Sequence, residues 1–206
     1  MEKTDIKSMN MEELTEYIIS LGEKKFRAKQ IYGWIHVKHV ESFEEMTNIS
    51  KKFIEKLSAE AKIVCVKKEE VQISKIDGTR KYLFSLDDGN VIESVLMKYK
   101  HGNSVCISSQ VGCRMGCRFC ASTLDGLVRG LRPSEMIDQI YQIGKDIGER
   151  ISNVVVMGTG EPLDNYDNLL RFIELLTDEN GINISQRNLT VSTCGLVPNM
   201  RRLADK

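Results

Sequence analysis

Between Cys113 and Cys120 the chain reads Cys-Arg-Met-Gly-Cys-Arg-Phe-Cys, three cysteines at a C-x3-C-x2-C spacing. Gly112 and Gly116 stand beside the cysteines. Glycine reaches positive φ at little cost, so the loop can turn tightly enough to bring three thiols to one point. Converging thiolates are soft ligands and suit an iron–sulfur cluster or zinc. The count of three then matters. An ordinary electron-transfer cluster is held by four cysteines, whereas three leave one iron open, and an open metal position is where chemistry happens. On the local motif alone, a structural zinc site completed by Cys106 or His101 is the alternative.

Composition sets the surroundings of that loop. The chain has 206 residues, enough for one domain or a large one with a small one. It is 41% hydrophobic and 28% charged, as a soluble globular protein is. No apolar run approaches the ~18 residues a membrane span needs, and the amino terminus lacks the apolar stretch of a signal peptide, so the expected location is the cytoplasm. Four of the six cysteines fall between positions 106 and 120, which favours a metal or redox site over a disulfide framework. Net charge is zero, but its distribution is uneven. From Lys24 to Val40 there is no acid against Lys24, Lys25, Arg27, Lys29 and Lys38. From Ser94 to Ser134 only Asp125 opposes Lys98, Lys100, Arg114, Arg118, Arg129 and Arg132. Both stretches predict local positive potential that can recruit a polyanion; a solvated face is the alternative.

The pattern before the loop predicts three helices, over about 11–21, 26–37 and 51–61. The first has Asn10 as N-cap and Glu13 three residues on, with Leu14, Tyr17, Ile18 and Leu21 on one apolar face. Short strands follow at Val71–Ser74, Lys81–Leu86 and Val91–Met97, joined at Asp77-Gly78 and Asp88-Gly89, the strongest local hairpin signal. From Ser104 onward strands alternate with helices, which implies βαβ units and a parallel sheet. The apolar Val154-Val155-Val156 run predicts a strand buried on both faces. Three motifs then fall at strand ends: the cysteine loop, Gly158-Thr-Gly-Glu161-Pro and Ser192-Thr-Cys-Gly195. Ligands of α/β sheets bind there, so one shared site is expected. Glu161 offers an acceptor for a cationic amine; a plain strand-to-helix turn is the alternative.

The cysteine spacing, with Phe119 before the last cysteine, resembles the cluster loop of the radical S-adenosylmethionine (SAM) superfamily. Val105-Cys-Ile-Ser-Ser-Gln-Val-Gly-Cys113 and Met157-Gly-Thr-Gly-Glu-Pro-Leu163 resemble the RlmN/Cfr family of RNA adenine methyltransferases, its RlmN branch above all. The resemblance implies an α/β fold: the first half of a radical SAM (β/α) partial barrel at 104–206, preceded by an RNA-docking helical module at 1–65 and an antiparallel β segment at 66–103. It implies a [4Fe-4S] cluster on Cys113, Cys117 and Cys120, with SAM contacted by Gly160, Glu161 and Ser192. The implied reaction methylates C2 of an adenine in 23S ribosomal RNA and in tRNA, by a ping-pong route through a methylated cysteine. Glu93 matches the proton acceptor and Cys106 the resolving cysteine that releases product through a disulfide. An electron donor such as flavodoxin is the further implied partner. Cys65 and Cys194 match no motif role and are expected to be structural.

Family sequences continue well beyond Lys206 and carry the methyl-carrying cysteine there, so the chain is expected to be truncated. It would then bind a cluster without completing methyl transfer. The rival expectations are a zinc-stapled RNA-binding module without catalysis, and a radical SAM enzyme acting on a substrate other than RNA.

Overall fold

The computed structural model describes residues 3–100 and 102–205. Its first part is helical. A two-residue strand β1 (Thr4–Asp5) precedes α1 (Met11–Ser20), α2 (Phe26–His36) and α3 (Lys51–Glu60), and β2 (Ala61–Lys62) returns to pair with β1 in parallel. The start of α1 follows from its sequence. Asn10 Oδ1 accepts the Glu13 N–H at 2.9 Å, and the Glu13 carboxylate accepts the Asn10 N–H at 3.2 Å, so two otherwise orphaned donors are satisfied reciprocally. Leu14 and Ile18 are buried as the periodicity requires, while Tyr17 is half-buried.

One six-stranded sheet carries the rest. β3 (Lys67–Ile73), β4 (Arg80–Ser85), β5 (Val91–Tyr99) and β6 (Gly102–Ile107) form an antiparallel meander. β9 (Ile151–Val156) and β10 (Leu189–Val191) then extend the same sheet in parallel from β6, giving the order β10-β9-β6-β5-β4-β3. The two parallel crossovers contain α4 (Pro133–Ile147) and α5 (Tyr166–Thr177). Both helices lie on one face, over Tyr82, Phe84, Ile92, Leu96, Val105, Ile107, Val154 and Val156, in one apolar core continuous with that of α1–α3.

Side chains alternate across a strand, so the register assigns the other face. Lys81, Val95, Cys106, Val155 and Thr190 sit opposite one another across five strands, and Glu93 lies one pleat along, opposite Leu83. That face is open. Val155 is half-buried there, so the apolar β9 run is fully covered only on its Val154 and Val156 side. A separate antiparallel pair, β7 (Gln110–Gly112) with β8 (Leu127–Gly130), frames the cysteine loop. Sequence periodicity had not indicated it. A last helix, α6 (Val197–Ala204), follows β10.

The edges differ. β3 is charged along Lys67-Lys-Glu-Glu70 and largely exposed, a device that discourages strand addition. β10 is the short Leu-Thr-Val strand and pairs only with β9. Between the helical part and the sheet runs a buried ion pair. Lys7 Nζ reaches Asp138 Oδ1 on α4 at 2.6 Å and the Val64 carbonyl at 2.8 Å, and the Val66 N–H donates to Asp138 Oδ2 at 2.7 Å. Burial pulls the Lys7 amine down, but Asp138 and Cys65 together hold it above its ordinary value.

Candidate active site at the strand ends

The loops after β6, β9 and β10 are bound to one another by main-chain hydrogen bonds. The Gly158 N–H donates to Ile107, Ser109 and Gln110 both donate to the Thr159 carbonyl, and Ser192 donates to Val156. Two glycines make this approach possible. A Cβ at Gly158 would stand 2.7–2.8 Å from Ser108 Oγ, the Ile107 carbonyl and the Ser108 nitrogen. One at Gly160, where φ is +102°, would stand 2.5 Å from the Gln110 Cβ. The glycines of the Gly158-Thr-Gly-Glu turn thus let it close on the root of the cysteine loop.

Cys113, Cys117, Cys120, Gly158, Gly160, Glu161, Ser192 and Cys194 line one cavity of about 190 Å³. The expected meeting of the three motifs is therefore present in the geometry. The thiols are not gathered on a single point: among the described residues, no three His, Cys, Asp or Glu side chains are placed to hold one metal ion. They are distributed around a space instead. His101, the alternative zinc ligand, lies outside the described residues, and Cys106 does not line this cavity. All six cysteines carry free thiols.

Side chains hold this wall in place. Glu161, 3% exposed, accepts the Leu163 N–H on one oxygen at 2.9 Å and the Cys194 N–H on the other at 2.7 Å. Buried Gln110 accepts the Glu161 N–H at 2.9 Å and donates to Asp164 at 3.1 Å. Asp164 also binds Arg114 inside the cysteine loop. The Arg114 guanidinium, helped by Gln110, keeps the Asp164 carboxyl below the usual carboxylate range. Gln139 of α4 accepts from the Ser94 hydroxyl at 2.7 Å and the Ser108 N–H at 2.9 Å. Partial desolvation and the Glu161 carboxylate push the Cys194 thiol up to about 11, with Cys117 and Cys113 adding to the rise. Gln110, Asp164, Gln139 and Cys194 were not singled out from sequence as site residues. Only the position of Cys194, directly after a parallel strand, could have marked it.

Glu93 and Cys106 sit apart from the cavity, on the open sheet face. The Glu93 carboxylate is half-exposed and accepts Lys81 Nζ at 2.8 Å, while its carbonyl accepts the Ser108 hydroxyl at 2.7 Å. Burial raises the Cys106 thiol above its ordinary value, against a smaller opposing effect of the Met157 main chain.

Charge near the cysteine loop departs from the expectation of free positive potential. Lys98 pairs with Glu149, Arg114 with Asp164, Arg129 with Asp88 and Glu135, and Arg132 with Asp87 and Glu135. Glu135 directly follows that stretch and the other acids come from other segments, so most of that basic run is neutralised locally. Around α2 the picture differs: among the described residues no ion pair is seen for Lys24, Lys25 or Lys29. Phe26 is 51% exposed, Arg27 stacks on it at 5.0 Å, and Lys38 lies 3.4 Å over the Trp34 ring.

Comparison with known proteins places this geometry. Residues 4–63 match the model of the ribosomal RNA large subunit methyltransferase N-terminal domain, and residues 107–206 match that of the radical SAM superfamily. The chain is 67% identical over 202 residues to a probable dual-specificity RNA methyltransferase RlmN of Lachnospira eligens, covering 98% of this chain and 58% of that protein. It is 63% identical over 205 residues to the protein of the same description from Lachnoclostridium phytofermentans, covering 100% and 58%. The crystal structure of a radical SAM methyltransferase from Sphaerobacter thermophilus superposes with a TM-score of 0.91 at 35% identity, over 98% of this chain and 60% of that one. The chain thus spans somewhat under three fifths of the length of the curated relatives it matches. Radical SAM membership implies a [4Fe-4S] cluster and SAM, and the donor set fits: three loop thiols around a shared space, with a buried carboxylate on its wall. From the cysteine loop, the sheet that carries it and the two matched regions, the chain belongs to the RlmN family of the radical SAM superfamily.

Proposed function

We propose that the chain carries the cluster- and cofactor-binding part of an enzyme that methylates C2 of an adenine in 23S ribosomal RNA and in tRNA. The observation that carries this reading is the single cavity onto which the cysteine loop, the Gly158-Thr-Gly-Glu turn and Ser192 converge. Cys113, Cys117 and Cys120 would hold a [4Fe-4S] cluster. Gly160, Glu161 and Ser192 would bind SAM, with Glu161 facing its amino group. When bound, the cluster and SAM supply a carbon-centred radical. The protein's part is position and exclusion of water. Gln110 and Asp164 fix the turn against the loop, and Gln139 fixes the loop's root.

On the open face, Cys106 would act as the resolving thiol through a disulfide, and Glu93 as the proton acceptor, released from Lys81 when substrate enters. The ping-pong route also needs a methyl-carrying cysteine, and beyond Cys120 the chain offers only Cys194. In this scheme, residues 1–65 form the RNA-docking module, 66–103 the antiparallel β segment and 104–206 the cluster-bearing half-barrel. The exposed Lys24, Lys25, Phe26 and Lys29 at and before the start of α2 suit RNA, since phosphates take the charge and bases stack on rings. An electron donor such as flavodoxin would supply the electron, in the cytoplasm.

The test is anaerobic. Iron, sulfide and the absorption spectrum are measured on the wild type and on Cys117→Ala. A brown protein with about four irons per chain that bleaches in the variant supports the reading. A colourless protein with one zinc would replace it with the RNA-binding module. C2-methyladenosine formed by the chain alone would show that it does more than carry the cluster- and cofactor-binding part of the enzyme.

A further inference from the structure

Four thiols, not three, line the cavity at the strand ends. Cys194 follows β10 and borders the same space as Cys113, Cys117 and Cys120. Its place is held by the main chain: its N–H donates at 2.7 Å to Glu161 Oε2, and Glu161 is itself buried and anchored by Leu163. Gly195, with φ +104°, turns the chain immediately afterwards. Cys194 is exposed and lines this cavity together with Cys113, Cys117 and Cys120. Among the described residues no other cysteine lines this cavity: Cys65 and Cys106 lie elsewhere.

A cubane cluster has four irons, and the common protein arrangement gives each one cysteine. The loop satisfies three. We propose that Cys194 ligates the remaining iron when SAM is absent, and that SAM binds by displacing it. This rests on the cluster reading of the same cavity. The step is a ligand exchange without change of oxidation state. On capping, the Cys194 S–H loses its proton to solvent and a sulfur–iron bond forms; a metal deprotonates a coordinating thiol outright. On SAM entry that bond breaks, the cofactor's amino-acid end takes the iron, and the thiolate recovers a proton. Glu161 serves both states. It fixes the Cys194 main chain through one oxygen and its own turn through the other, and it lines the cavity that the cofactor's amino group would enter. The consequence is a cluster with no open iron until the cofactor arrives.

The experiment compares reconstituted wild type with Cys194→Ala and Cys194→Ser, with Cys117→Ala as the cluster control. Each is given one equivalent of a mild oxidant without SAM, then examined by electron paramagnetic resonance and iron analysis. The expected wild type keeps about four irons per chain. Cys194→Ala loses one and shows the three-iron signal, Cys194→Ser falls between, and SAM added beforehand protects both variants. SAM should bind Cys194→Ala about tenfold more tightly if the capped form outnumbers the open one by about ten to one. Equal three-iron fractions and equal SAM affinity in wild type and Cys194→Ala would overturn the role of Cys194 while leaving the cluster in place. A wild type that takes up no cluster, or one that survives Cys117→Ala, would overturn the cluster reading and this proposal with it.

Discussion

An added methyl group meets different surroundings at Gly158 and at Gly116. At Gly158 an added Cβ meets main-chain atoms of Ile107 and Ser108 that cannot move without opening the β6–β9 ladder. At Gly116, φ is +70° but nothing lies within 4 Å. Gly116→Ala should therefore lose about 1–2 kcal/mol, the cost of a left-handed conformation. Gly158→Ala should lose about 1–3 kcal/mol from overpacking and, unlike Gly116→Ala, weaken iron retention because the turn is pushed off the loop. Urea denaturation of both variants, with iron analysis, checks the pair. Retention of iron by Gly158→Ala at the wild-type level would show that the turn does not support the loop. The glycine motif was visible in the sequence, and so was the reason glycine suits close approach. What it approaches was not, because Ser108 is fifty residues away and the contact forms only when β6 and β9 lie side by side. Comparable distances hid Asp164 from Arg114, Asp88 from Arg129 and Asp87 from Arg132, whereas Glu135 lies only six and three residues beyond the last two. Within their own segment these look unopposed, and the acids that pair with them arrive from β9's turn, the β4–β5 hairpin and α4.

At the scale of elements, α4 is tied on several sides. Asp138 holds Lys7 of the helical part and the Val66 main chain. Gln139, one residue on, holds Ser108 at the root of the cysteine loop. Glu135 grips Arg129 of β8 at 2.8–2.9 Å. Removing one partner of a buried pair leaves an uncompensated charge, which costs about 3–5 kcal/mol, whereas replacing both with apolar groups is often neutral. Asp138→Leu should therefore be severely destabilised, and Lys7→Met with Asp138→Leu should recover most of the loss, as measured by chemical denaturation. A double variant no better than the single would mean that Val66, deprived of its acceptor, dominates. The apolar spacing of Ile137, Ile140, Tyr141 and Ile147 predicts a helix over about 134–148, and α4 runs from Pro133 to Ile147. β7 and β8 were not legible in sequence. They are three and four residues long, with a long loop between them and no turn pair to announce them.

For the whole molecule, the shared core makes acid stability a property of both halves. His36, the last residue of α2, is fully buried and hydrogen-bonds Tyr141 of α4 at 2.9 Å. Burial, with the nearby Lys7 charge, lowers its pKa to about 3. The folded state thus keeps His36 neutral while the unfolded chain takes up a proton near pH 6.5. Stability rises with pH between those values, so it should fall as pH drops below 6.5, by about 2 kcal/mol at pH 5. His36→Phe should flatten that part of the pH profile of thermal unfolding; an unchanged slope would place the titration elsewhere.

The ties on α4 also bear on how the protein opens. Its amides from Met136 to Ile143 belong to residues almost all buried against neighbours on every side. Such amides exchange with solvent only through the largest openings a protein makes. In deuterated water they should be among the last to exchange, together with those of β6 and β9. If so, the cysteine loop cannot come apart from the sheet as a local event at its root, since releasing Ser108 from Gln139 disturbs the same helix that holds Lys7. Oxidative damage at the loop would then register as a faster exchange in a helix whose other side faces the amino-terminal module.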